Sequence, residues 1–150
     1  MGKREKKVAA DTARRTKGNK PLVPSTAVLP RVETSDDRIC WRFCHVDQDG
    51  PWGFGELTIA ELMTKLADFE SMTLREIFNL GEEPGKHYDL AAVPNRLVAR
   101  RLEELSLSDM TKISRLRLGG KPRLYGFLVG NVFHILWWDP EHQVWPSARR

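Results

Sequence analysis

Residues 38–46 alternate, with Ile39, Trp41 and Phe43 set against Cys40, Arg42 and Cys44. A period of two predicts a strand, and the loop formers Asp47, Gln48, Asp49, Gly50 and Pro51 end it. The period then lengthens. Ile59, Leu62, Met63, Leu66 and Phe69 recur at helical spacing behind Thr58 and Glu61, a capping box in which each side chain satisfies the other's exposed backbone amide. Thr73 with Glu76 repeats the device and predicts a short helix through Ile77 that stops at Gly81. Residues 82–90, with His87, read as a loop. Pro94 suits the first position of a third helix, along one face of which lie Leu97, Val98, Leu102 and Leu105.

The last third returns to strand chemistry. Residues 113–118, 123–129 and 132–138 alternate, with turns at Gly119-Gly120 and Gly130-Asn131, and Asp139-Pro140 closes the run. A two-residue turn at Gly130-Asn131 sets Phe127 opposite His134, Tyr125 opposite Leu136 and Arg123 opposite Trp138. Leu124, Leu128, Phe133, Ile135 and Trp137 then share an apolar face fit for the helices. Arg123, Tyr125, His134 and Trp138 share the other. A three-residue turn at 119–121 adds Arg115 and Arg117 to that second face, whereas a four-residue turn would put both under the helices at a large desolvation cost. The expected fold is therefore α+β: helices packed on one face of a small antiparallel sheet, with the other face cationic and aromatic.

Charge changes the picture at the N-terminus. Residues 1–20 carry eight Lys and Arg against Glu5 and Asp11, a surplus of six, while the whole chain carries +4; the other 130 residues are two below neutral. With no large hydrophobe in residues 1–20 and prolines at 21, 24 and 30, residues 1–37 read as a basic disordered tail and linker ahead of one domain, 38–150. Such a tail binds polyanions without specificity, through counterion release. Cys40 and Cys44 lie roughly 13 Å apart at strand rise, too far for a disulfide, which suggests reduced thiols in a cytoplasmic protein. No apolar run marks a signal peptide or a membrane span.

Candidate chemistry gathers in residues 112–123, where Lys112, Arg115, Arg117, Lys121 and Arg123 meet no acidic residue. Guanidinium groups pair with phosphate and stabilise charge growing on a phosphoryl oxygen, and aromatic rings such as Tyr125 and Trp138 can stack on a splayed base. A solvated basic strand gives the same pattern. Among the histidines, His45 and His134 read as packed strand residues. His87 in its loop and His142 in the Asp-Pro-Glu-His turn are candidates for proton transfer, because an imidazole titrates near neutrality. Asp139, Glu141, His142 and His134 lack the helical histidine spacing of a metal site, so no metal or cofactor is expected.

The segment RLRLGGKPRLYGFLVGNVFHILWWDPEHQVWP, residues 115–146, resembles the close of a small, mostly uncharacterised family of bacterial and mycoplasmal proteins ending in Trp-Trp-Asp-Pro-x-His-x-Val. The element order is also similar to the RelE/YoeB/ParE toxin superfamily, from which this chain departs in its greater length, its tail and its Trp-Trp-Asp-Pro segment. That second resemblance implies a metal-independent, toxin-type endoribonuclease that cuts RNA by 2′-hydroxyl attack. Arg117 and Arg123 would hold phosphoryl charge, His142 or His87 would move protons, and Arg115, Lys121, Tyr125 and Trp138 would bind RNA. It also implies RNA, the ribosome and an antitoxin protein as partners. The alternative is a non-catalytic protein- or nucleic-acid-binding module.

Overall fold

The computed structural model describes residues 36–55, 57–78 and 83–147; the tail expected over residues 1–37 lies outside these except for Asp36 and Asp37. Those two already touch the domain: the Asp37 carbonyl accepts from Leu74 N at 2.8 Å, and Asp36 pairs with Arg75 at 3.2 Å.

The described chain runs β1 (Cys40–Arg42), α1 (Ile59–Glu70), α2 (Leu74–Phe78), β2 (Gly85–Asp89), a 3-10 turn (Leu90–Ala92), α3 (Arg96–Glu104), β3 (Lys112–Arg117), β4 (Arg123–Val129) and β5 (Val132–Asp139). The five strands make one sheet in the order β1-β5-β4-β3-β2. The α+β class is as expected. The sheet, however, is mixed rather than antiparallel, because β1 runs parallel to β5.

Both capping boxes form. Thr58 Oγ1 accepts from Glu61 N and Glu61 Oε2 accepts from Thr58 N, while Thr73 and Glu76 make the same exchange at the head of α2. The third helix starts later than expected. Asn95 is its N-cap, accepting from Leu97 N at 3.0 Å, so Pro94 stands outside it. Residues 85–89, expected as loop, are an edge strand paired with β3. Their one apolar member, Tyr88, gives too little alternation to read as a strand.

Helices cover both faces, which corrects the expected one-sided arrangement. α1 and α2 pack Leu66, Phe69 and Ile77 on Leu116, Leu124, Phe133 and Ile135. On the other face α3 sets Val98 and Leu102, together with Trp52 and Val144, on Tyr125, Phe127 and Trp137. A fully buried side chain of this size contributes about 1.5–3 kcal/mol, so each face is a core in its own right.

The β4-β5 hairpin follows the expected register at Val129-Val132 and Phe127-His134 and then shifts between Tyr125 and Gly126. Leu136 is the extra residue of a bulge, so Tyr125 faces Trp137, Leu124 faces Trp138 and Arg123 faces Asp139. The slip carries Trp137 to the α3 face and Trp138 to the α1/α2 face, reversing the expectation for both. Gly126 permits it, because a Cβ there would collide with the His134 carbonyl oxygen and the Phe133 ring.

One buried carboxylate fastens the β1–α1 loop across the α3 face. Asp47 accepts from Arg101 Nη2 at 2.6 Å, Arg101 Nε at 2.8 Å, Trp137 Nε1 at 3.0 Å and Gly50 N at 3.1 Å. Burial alone would raise its pKa, but the hydrogen bonds from Arg101 and Trp137 outweigh that and hold it below the ordinary carboxylate value.

Candidate anion-binding face

The five residues between β3 and β4 close with Leu118 N donating to the Pro122 carbonyl, and Gly119 and Gly120 take positive φ values of 86° and 45° that suit glycine. This closure pairs Arg117 with Arg123 and Arg115 with Tyr125, so three arginines share one sheet face, as the three-residue turn predicts. On β2, Lys86 sits opposite Arg115.

That face is less open than the sequence suggests. Arg115 is 5% exposed and Arg123 6%, on the face where α3, Trp52 and Val144 also pack. Arg123 Nη1 donates to the carbonyls of Gly120 (2.7 Å), Lys121 (3.0 Å) and Pro122 (3.1 Å), while its buried Nε has no partner among the described residues. Arg117, with a side chain 41% exposed, donates from Nε to the Gly120 carbonyl at 3.2 Å. Glu83 Oε1 lies 3.4 Å from Arg115 Nη2 and 3.3 Å from Arg117 Nη1, so one carboxylate oxygen serves two guanidinium groups at long range. Arg115 Nη1 also donates to the Tyr88 hydroxyl at 3.3 Å.

Burial, and then repulsion from Arg115 and Arg117, push the Arg123 pKa below its ordinary value, with Glu83 offsetting part of the effect. Charge is therefore crowded here. Tyr125 lies fully buried beneath it, its hydroxyl unpartnered among the described residues. Burial first, then the Asp139 carboxylate, push its pKa up, so it stays a neutral phenol.

Asp139 brings His142 to this region. Its buried carboxylate accepts from Gln143 N and Val144 N, both at 2.8 Å, and folds the chain back so that His142 adopts φ 58°. That left-handed conformation is unusual for a residue with a Cβ. The imidazole lies close enough to feel Arg123, Asp139, Arg115 and Arg117; burial, then Arg123, lower its pKa, leaving it neutral at pH 7. Its Nδ1 is 3.3 Å from Ser147 Oγ. Lys121, at the exposed turn, pairs with Glu141 at 2.6 Å.

Arg115, Arg117, Arg123, Tyr125 and His142 thus converge, with Lys121 at the rim. Two expected members do not join them. His87 is on the opposite face, stacked on Phe78 at 4.4 Å with Nδ1 2.7 Å from Ser114 Oγ. Trp138 is buried beside Phe54 in the α1/α2 core, and Tyr125, although cofacial with the arginines, is too deep to stack on a base. Glu83, Tyr88 and Asp139 were missed as site residues. Only the place of Asp139, next to the turn histidine, could have suggested its role.

A second constellation lies at the other end of the sheet. Cys44, His45 and His134 each offer a ligand atom, all within 4.8 Å of one another. Burial first, then His45 and Arg42, lower the His134 pKa to about 4. No known protein family, curated protein or solved structure matches this chain. Among the described residues no helix is long and apolar enough to cross a membrane.

Proposed function

We propose that the chain binds the phosphodiester backbone of single-stranded RNA at the β3–β4 end of the α3 face. Arg117 and Lys121 meet the phosphate, and Arg123 and Arg115 supply the field behind them. The observation that supports this most is the placing of Arg115, Arg117 and Arg123 on one sheet face, where burial first, and then repulsion from Arg115 and Arg117, lower the Arg123 pKa. A phosphate oxygen relieves that repulsion and offers Arg117 a shorter, charge-assisted bond than its present contacts at 3.2 and 3.3 Å. Buried Tyr125 and Trp138 leave little for base stacking, so recognition runs through the backbone and is tolerant of sequence. The basic residues of positions 1–20 add counterion release.

A toxin-type endoribonuclease of RelE kind is the catalytic form of the same reading, and a small α+β scaffold is compatible with it; the ribosome and an antitoxin rest on the resemblance alone. What favours it is the place of His142, close enough to feel Arg123, Arg115 and Arg117, with burial the largest cause of its lowered pKa. There the imidazole accepts the 2′-hydroxyl proton as that oxygen bonds to the adjacent phosphorus. The 5′-oxygen departs with its electron pair and takes up a proton from water, and Arg117 and Arg123 share the charge on the phosphorane oxygens.

Both forms are tested with labelled single-stranded RNA at saturating protein, with and without ribosomes. Binding alone requires that the native chain retain RNA and that Arg117→Ala weaken it about tenfold, or about 1.4 kcal/mol. Catalysis requires in addition products ending in a 2′,3′-cyclic phosphate, formed about 100-fold more slowly by His142→Ala with binding intact. Binding without cleavage leaves the module; no binding removes both.

A further inference from the structure

We propose that Cys44, His45 and His134 form a Zn2+ site that clips the turn after β1 to the centre of β5. Pairing in register sets Arg42 beside His134, and the chain then turns sharply, with Val46 N donating to the Phe43 carbonyl at 3.1 Å and Asp47 N to the Leu136 carbonyl at 3.0 Å. Those two bonds hold the Cys44-His45 tip against β5, where the His45 and His134 rings lie 5.8 Å apart.

Three features suit zinc. The donor set is one thiol sulfur and two imidazole nitrogens, the borderline-soft combination that zinc takes in tetrahedral sites. The ligand atoms lie within 4.8 Å of one another, whereas ligands around a tetrahedral zinc stand about 3.5 Å apart. A movement of about 1 Å closes the site, within reach of the exposed Cys44 and half-buried His45 on a turn. Finally, His134 is 7% exposed and its Nδ1 is buried with no hydrogen-bond partner among the described residues. A buried imidazole nitrogen left unmatched is costly, and a metal bond at this ring offsets the cost. Three protein donors leave one tetrahedral position for water. The site is independent of the arginine face and of the RNA reading.

The test titrates the full-length protein with Zn2+ by calorimetry and with Co2+ by absorption. One ion per chain is expected, with a thiolate-to-cobalt charge-transfer band in the near ultraviolet. Cys44→Ser and His45→Ala, both at accessible positions, should keep the far-ultraviolet circular dichroism and lose more than about 100-fold in Zn2+ affinity, since even outer-shell changes at such sites cost 10–100-fold. Cys40→Ser should bind as the native chain does. The Zn2+-loaded native protein should also melt at a higher temperature than the metal-free one, an increment that Cys44→Ser removes. Absence of the thiolate band, unchanged affinity in Cys44→Ser, loss of binding in Cys40→Ser, or uptake of Cu+ with no uptake of Zn2+ would each overturn the assignment.

Discussion

The two faces of the sheet are built from the same strands on different physical terms. Under α1 and α2 the contacts are almost wholly apolar: Leu116, Leu124, Phe133 and Ile135 are at most 0% exposed, and Trp138 completes the layer. Under α3 an aromatic core around Trp137 shares the face with Asp47, Arg115, Arg123 and Asp139, all buried. An apolar face needs mainly shape and area, and among the described residues its polar groups include His87 with Ser114 and the unpartnered Trp41 Nε1. A polar face requires a partner for each buried charge, so it depends on specific atoms: Asp47 with Arg101 and Trp137, Asp139 with the amides of residues 143 and 144. Where pairing is incomplete, at Arg123 Nε and the Tyr125 hydroxyl, the fold carries a cost that makes the site a candidate for ligand binding.

The contrast breaks most visibly by truncation on the apolar side. Phe133→Ala should cost about 3–5 kcal/mol, because it removes a wholly buried ring between α1 and the sheet; urea unfolding measures it, and a loss below about 1 kcal/mol would show that the layer is not close-packed. Next comes Asp47→Asn, expected to cost about 1–3 kcal/mol, because it weakens the bonds from Arg101 and Trp137 although Arg101 keeps Glu104 at 2.7 Å. The sign with pH follows from the lowered Asp47 value. Its stabilisation is complete above the unfolded carboxylate pKa and is lost as pH falls through the lower folded value. Native stability should therefore decline more steeply in acid than that of Asp47→Asn, and parallel pH profiles would remove Asp47 as the fastening of that face.

Smaller effects separate structural from available charge among the arginines. Arg123→Ala should cost about 1–2 kcal/mol, since its guanidinium holds three turn carbonyls. Arg117→Ala should change stability by less than about 0.5 kcal/mol, as expected of a half-exposed side chain with long contacts. Equal losses at both positions, read from thermal unfolding, would erase the distinction between them.

What could be read from sequence was local. The boxes at Thr58-Glu61 and Thr73-Glu76 span four residues each, and the Gly-rich turn 118–122 fixes the cofacial placing of Arg115, Arg117 and Arg123 without help from the rest of the chain. The bulge at Leu136 was not readable, because it depends on Gly126 across the hairpin, and beyond it Trp137 and Trp138 of β5 exchanged faces. Nor was the edge strand β2, whose pairing with β3 supplies what its composition does not. The depth of Arg115 and Arg123 goes with the packing of α3, Trp52 and Val144 on a face that alternation alone leaves bare. Cys44 and His45 are neighbours in the chain, but His134 joins them only through the parallel β1–β5 pairing.

On the proposed reading the arginine face, rather than the basic N-terminus, recognises RNA. Its most direct test measures RNA affinity against salt for a full-length chain in which the eight Lys and Arg of residues 1–20 are replaced by Gln, with and without Arg117→Gln. RNA binding should survive the N-terminal replacements with a shallower salt dependence. Adding Arg117→Gln should then weaken it about tenfold and lower the logarithmic salt slope by about a further 0.7, one phosphate contact on a single strand. Binding that vanishes with the N-terminal charges, or that survives them unchanged by Arg117→Gln, would contradict the account.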